Sequence, residues 1–320
     1  VGVIAILGEI LVEIMATEVG QSFRTPGRLV GPFPSGAPAI FIDQVARLGQ
    51  KTRLIGCVGD DDFGWLNIER LRRDGVDTSA ITVVKDAVTG SAFVTYDQTG
   101  ERHFIFNIAN SASARLSASD VSEERLAGCT HLHVMGSSLF SRGVQEATLQ
   151  AIDMVTGQGG RVSFDPNVRP ELLGRPGMRE TLSSVLRRTD VFLPSGSELT
   201  LLTRAETGDG AVAELLTLGV SEIVVKRGRR GCVYHDANRR VVEPGLRVEE
   251  VDPTGAGDCF AATYVTCRHR GLPVETSLRY ACASGARAVT RRGPMEGTAG
   301  FADLDALLAE ADAFGEAGPA

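Results

Sequence analysis

The run Asp252-Pro253-Thr254-Gly255-Ala256-Gly257-Asp258-Cys259-Phe260 sets a glycine turn, a carboxylate and the start of an amphipathic helix side by side. Gly255 and Gly257 carry no Cβ to hold a ligand away from the backbone. From Ala256 onward Phe260, Thr263 or Tyr264, and Cys267 recur at helical spacing, with Gly271 and Pro273 as the stop signal. A helix N-terminus offers unpaired N–H groups and the positive end of the dipole, so this turn suits an anion. A carboxylate there would repel phosphate unless it had a task of its own, and taking a proton from an attacking hydroxyl is such a task. The chemistry to which this points is phosphoryl transfer. Taken alone, Gly255–Asp258 also reads as an ordinary loop with Asp258 as a cap.

Other site chemistries find no support. There is no Gly-x-x-x-x-Gly-Lys-[Ser/Thr] phosphate loop, and a dinucleotide fingerprint built on Gly255 and Gly257 would need glycine where Phe260 stands. Serine-hydrolase Gly-x-Ser-x-Gly and zincin His-Glu-x-x-His motifs are absent. The six cysteines contain no Cys-x-x-Cys pair, so they read as buried free thiols in a reducing cytoplasm. His131 and His133 are read as alternating along one strand and pointing to opposite faces, which argues against a shared metal.

At 320 residues, with 43% hydrophobic and 23% charged, the chain suits two domains or one large α/β domain with an insertion. A net charge of -7 with three lysines, Lys51, Lys85 and Lys226, argues against a nucleic-acid surface. No apolar run reaches the ~18 residues of a membrane span. Val1–Ile14 lacks a basic n-region and a cleavage site, and is read not as a signal peptide but as holding a buried strand, Val3–Leu7, that ends at Gly8.

The elements that must position the turn alternate. Strands are expected at Val3–Leu7, Leu54–Val58, His131–Met135, Arg161–Phe164, Val191–Leu193 and Ile223–Lys226. Helices are expected at Pro38–Leu48 and Phe63–Arg73, and around 144–156, 178–188, 197–204 and 210–218. That order predicts a three-layer α/β/α sandwich around a mainly parallel sheet. Two stretches, 11–34 and 85–107, alternate like strands with no crossover helix. They are expected to form a small β lid outside a core made of 1–10, 35–84 and 108–320, with Asp97–Gly100 as a hairpin turn. The same small sheet could serve to join two copies as a homodimer.

Further motifs stand in order along the chain: Ser35-Gly36-Ala37-Pro38-Ala39 leading to Ala46-Arg47-Leu48-Gly49, then Gly56-Cys57-Val58-Gly59-Asp60-Asp61-Asp62-Phe63-Gly64, Gly75-Val76-Asp77-Thr78-Ser79 and Asp165-Pro166-Asn167-Val168-Arg169. With the Asp252–Phe260 signature they resemble the ribokinase-like (PfkB) carbohydrate kinase family over nearly the whole chain. The resemblance implies a ribokinase-like fold and ATP- and Mg²⁺-dependent phosphorylation of a sugar hydroxyl, with a primary alcohol at C6 as the family-based acceptor. It implies Asp258 as the general base and the backbone of Gly255, Ala256 and Gly257 as the anion hole. Asp252 is expected to shape the turn, or else to help bind a monovalent cation such as K⁺.

The sugar pocket implied by the family draws on Glu13, Gly36, Ala37, Asn107, Asn110, Arg169 and Asp258. The nucleotide is expected against Ser195, Lys226, Gly228, Gly231, Thr254, Gly257 and Ala283, with Glu198 acting on Mg²⁺ through water. The chain departs from the family pattern in three places. Ile40 replaces a common Asn, with Asp43 as a possible substitute, and Ser195 replaces the Asn of Asn-x-x-Glu. Ile108 stands where kinases of fructose and of 2-keto-3-deoxygluconate have an arginine, three residues before Ser111-Ala112. Loss of that guanidinium fork favours a neutral ketose, tagatose or fructose, over an acid sugar. Alternatives left open are a 2-keto-3-deoxygluconate kinase and an inactive sugar- or nucleotide-sensing protein of the same fold.

Overall fold

Val3-Ile4-Ala5-Ile6-Leu7 is apolar at every position, as a strand covered on both faces requires. It forms β1 (Val3–Leu7) inside the larger sheet of the computed structural model, which describes residues 2–98, 102–168 and 177–316. Among the described residues that sheet has nine strands. In spatial order they are β13 (Arg240–Glu243), β12 (Cys232–His235), β11 (Glu222–Lys226), β10 (Val191–Phe192), β9 (Arg161–Asp165), β8 (Cys129–Met135), β1, β4 (Thr52–Gly59) and β5 (Ile81–Val84). Pairing is parallel from β11 across to β5, and β12 and β13 add antiparallel at one edge.

Alternation along β1 sorts the two cores. Ile4 and Ile6 enter the cluster under α1 (Ala37–Arg47), α2 (Asp62–Arg73), α6 (Ala256–His269) and α7 (Val274–Val289). Ala5 and Leu7 enter the opposite cluster, under α3 (Arg142–Gly157), α4 (Met178–Leu186) and α5 (Gly208–Thr217). A last helix, α8 (Phe301–Glu316), packs outside α7. The result is the expected α/β/α sandwich. A separate small sheet takes the order β3 (Leu29–Ser35), β2 (Leu11–Ala16), β6 (Gly90–Tyr96) and β7 (Arg102–Asn107). Only its β2–β6 pair is parallel. Three residues separate β1 from β2, so this sheet rises from the carboxyl end of the parallel strands, where open α/β sheets bind ligands. Of the expected hairpin turn, residues 99–101 lie outside the described residues.

Two expectations are corrected. Residues 197–204 form a succession of turns, with i→i−3 bonds at Leu201 and Thr203, rather than a helix. The Glu198 carboxylate there is spent on neighbouring backbone and Ser195 instead of facing solvent from a helix. His131 and His133 point to one face, as a spacing of two in a strand dictates. Both rings bond the Ser163 hydroxyl, at 2.8 and 2.7 Å, and His133 stacks on Phe41 with centroids 3.8 Å apart. Burial pushes His131 down to about 3 and His133 well below its usual value, so both stay neutral. Ser163→Ala leaves two buried imidazoles without their shared partner. It is expected to lower stability by about 1–3 kcal/mol, read as a shift of the urea midpoint at constant slope.

All six cysteines are buried free thiols, and among the described residues no group of three or more His, Cys, Asp or Glu could hold a metal. No helix among them is long and apolar enough to cross a membrane.

Candidate active site

The turn opening α6 is built by Asp252 and Gly255. Asp252 is 1% exposed; one of its oxygens accepts from the Thr254 N–H (3.0 Å) and hydroxyl (2.7 Å), the other from the Gly293 N–H (3.0 Å). Asp252 therefore shapes the turn and ties it to the segment after α7. Gly255 caps α6 at φ +79°, which favours glycine, and a Cβ there would lie 2.4 Å from the Pro294 carbonyl oxygen. Beneath it packs Ile40, 3% exposed, so the side chain that replaces the family's Asn supports the turn as apolar packing.

Asp258 sits in the first turn of α6 with part of its surface open. Burial pushes its carboxyl up to about 7, the charge of Asp165 adds to this, and the Lys226 ammonium opposes it. Glu9 and Glu13 contribute in the same direction as Asp165, so acids from distant stretches of sequence act on one carboxyl. Lys226, at the end of β11, is ion-paired with Asp165, at the end of β9. Burial disfavours the Lys226 charge, but Asp165 and Glu198 more than offset that and hold its pKa above the usual value. Asp165 is pushed up to about 6 by burial, against the pull of Lys226. The Lys226 ammonium also lies beside the Gly255–Gly257 turn, 3.6 Å from where a Gly257 Cβ would be.

On the side of the expected sugar pocket, Glu13 is 3% exposed on β2 and accepts from Ser35 Oγ at 3.2 Å. Gly36 caps α1 at φ 110°, and a Cβ there would meet the Glu9 carbonyl oxygen at 2.5 Å. Ala37 follows as the first residue of α1. Asn107, at the end of β7, and Asn110 are exposed, and Asn107 donates to Ser91 Oγ at 3.3 Å. Ile108 lends its carbonyl to the Ser111 N–H and hydroxyl, closing the turn after β7. Asp43 does not take over the polar role of the missing Asn. It is fully buried, accepts from Thr298 and faces Arg70 at 3.8 Å, and burial pushes its carboxyl up to about 7. Arg169 lies outside the described residues.

On the nucleotide side, Ser195 bridges to Lys226, and its N–H and hydroxyl both donate to Glu198, at 2.7 and 2.6 Å. The second Glu198 oxygen accepts from the Val168 N–H at 2.8 Å. Gly228 has open space around it, whereas Gly231 meets the Glu243 carbonyl. Ala283 is corrected. It is fully buried with Leu48, Ala299 and Leu304 under α8, so it packs helices together rather than lining a slot. The donor set fits Mg²⁺. The described residues make no all-protein cage, and Mg²⁺ keeps its waters and leans on one or two carboxylates plus phosphates. Glu198 would hold it through water on Oε1, which accepts from Val168 and keeps a second lone pair, whereas Oε2 already carries both Ser195 bonds.

Sequence reading missed three contributors. Glu9, 5% exposed directly after β1, accepts from Ser138 Oγ at 2.5 Å and Ser137 Oγ at 3.4 Å. Its place after the strand-ending Gly8 was a usable signal. The Asp165–Lys226 pair had no local signal, because its members are 61 residues apart. Arg102 of β7 donates to Thr254 Oγ1 at 2.8 Å across 152 residues, and nothing near it in sequence indicates this.

Residues 4–299 match the family described as pfkB family carbohydrate kinase. The chain is 30% identical over 314 residues to Fructokinase-2 of Zea mays, covering 95% of this chain and 93% of that protein. A structure from E. coli, assigned as a Ribokinase II, in complex with ATP and Mg²⁺ superposes with a TM-score of 0.94 at 50% identity, covering 97% of this chain and 100% of that one. A fructokinase double mutant from Vibrio cholerae O395, bound to fructose, ADP and potassium ion, gives 0.83 at 26% identity, covering 96% and 98%.

Proposed function

Because the chain belongs to the pfkB family of carbohydrate kinases, we propose that it transfers the γ-phosphoryl group of ATP to a primary hydroxyl, at C6, of a small neutral ketohexose such as fructose or tagatose. One observation carries this reading. The first turn of α6 joins the N–H groups of a helix start, the nearby Lys226 ammonium and a carboxyl pushed up to about 7. ATP supplies the reactive phosphoryl group, and Mg²⁺, held through water by Glu198, neutralises phosphate charge. The protein supplies position and field. Glu13 and the α1 start at Gly36 and Ala37 hold the sugar. Asp258 takes the proton of the attacking hydroxyl, and the N–H groups of Gly255, Ala256 and Gly257 receive the charge that builds on the transferred group. Lys226, Thr254, Ser195, Gly228 and Gly231 bind the nucleotide from the β10–β11 side. One Asp252 oxygen is filled by Thr254 and the other accepts from Gly293, so the carboxylate shapes the turn, and a K⁺ ion there would draw mainly on backbone carbonyls.

A hexose acceptor is supported by the relatives named fructokinase, and a neutral one by Ile108 in place of the arginine fork. The test is ADP release across neutral ketoses, aldoses, acid sugars and nucleosides, with ATP and Mg²⁺. Fructose or tagatose is expected to give the highest kcat/KM, and Glu13→Ala to raise the sugar KM far more than the ATP KM. An acid sugar turned over as well as either ketose would refute the neutral-sugar assignment.

A further inference from the structure

Arg102 stands on β7 of the small sheet, directly across from Tyr96 of β6. Its guanidinium packs 5.6 Å from the Phe104 ring centroid and donates to Thr254 Oγ1 at 2.8 Å. The same hydroxyl donates to Asp252 at 2.7 Å, so its hydrogen is committed and its lone pair faces the arginine. Tyr96, opposite Arg102 on β6, feels the charges of Asp252, Glu13, Arg102 and Arg292, as a residue beside both the turn and Glu13 would. A cation on the small sheet thus holds the residue immediately before Gly255.

We propose that Arg102 is a positioning residue for phosphoryl transfer: through Thr254 it couples the small sheet to the shape of the anion turn at the start of α6. This rests on the sugar-kinase reading given above. Thr254 is the point at which the turn can be pulled, because its N–H and hydroxyl are both fastened to Asp252. Arg102 adds a charge-assisted bond to that hydroxyl from the other side of the cleft. A misplacement of the turn by a fraction of an ångström would move the N–H groups away from the developing charge.

The test is a double-mutant cycle of Arg102→Ala and Thr254→Val, read in kcat and in both KM values, with Arg102→Lys as the conservative variant. Arg102→Ala is expected to lower kcat by roughly 10–100-fold with both KM values little changed, and Arg102→Lys to recover part of the loss. The double variant is expected to be no slower than the worse single, because both remove one contact. Hydrogen exchange at 90–98 and 102–107 is measured alongside. It is expected to speed up in Arg102→Ala while the Tm stays unchanged, as for a locally opening segment. Additive losses in kcat, or exchange equal to that of the parent protein, would overturn the proposal. If the parent protein itself releases no sugar-dependent ADP, the kinase reading fails, and the exchange measurement still decides whether Arg102 holds the sheet to the turn.

Discussion

An Asp258→Asn protein is expected to keep near-parental KM values for ATP and sugar and to turn over about 10²–10⁴-fold more slowly in a coupled ADP assay. Asparagine preserves the shape of the side chain while removing the carboxylate proposed to take the acceptor's proton. The carboxyl is pushed up to about 7, so it is half ionised at neutral pH and only its ionised form is a base. The parental kcat/KM should therefore climb about tenfold per pH unit below 7 and level off above it, whereas the Asn variant loses this limb. Retention of the acid limb in the variant, or a kcat near that of the parent, would remove Asp258 from the role of base.

The same substitution has a stability signature of definite sign. Asp258 has a higher pKa folded, about 7, than unfolded, 3.8, so the folded state binds the proton more tightly. Below pH 3.8 both states are protonated and this group favours neither. As pH rises from about 4 to about 7 the unfolded chain gives up the proton first, and the parent protein loses stability. Asparagine does not titrate. The Tm of Asp258→Asn relative to the parent is thus expected to rise across that window and then stay constant. The site is held together against its own electrostatics, as a carboxylate kept for chemistry among Asp165, Glu9 and Glu13 would be.

The contrast between Asp258 and Lys226 explains which parts were legible in sequence. The α6 turn is local: glycines, carboxylate and helix start follow one another within seven residues, so composition and spacing suffice. The α/β/α layering was legible for the same reason, because strand and helix periods alternate along the chain. The electrostatics were not, since they depend on strand order. Asp165 and Lys226 meet only because β10 lies between β9 and β11 and ends short, leaving the tips of its neighbours within reach. Arg102 meets Thr254 only because β7 occupies the edge of the small sheet. Ala283 misled because a small residue beside a ligand and a small residue between packed helices look alike in sequence. Its burial against Leu304 identifies it as the second kind.

Lys226→Met is expected to be the most destabilising single change at the site, by roughly 3–5 kcal/mol at pH 8, read as a shift of the urea midpoint at constant slope. Asp165 is 1% exposed, and removal of the ammonium leaves its charge buried without that partner. The deficit has a pH dependence that tests this cause. Asp165 is already pushed up to about 6 with Lys226 in place, and without it the carboxyl must rise further. Below pH 6 the carboxyl takes up a proton in both proteins, so the deficit should shrink steadily towards pH 4 and be largest above neutrality. Asp165→Asn added to Lys226→Met removes the stranded charge and is expected to recover much of the loss, a non-additive result for two residues in direct contact. A deficit independent of pH, or a double variant as unstable as the sum of the singles, would mean that Lys226 does not stabilise through its charge on Asp165.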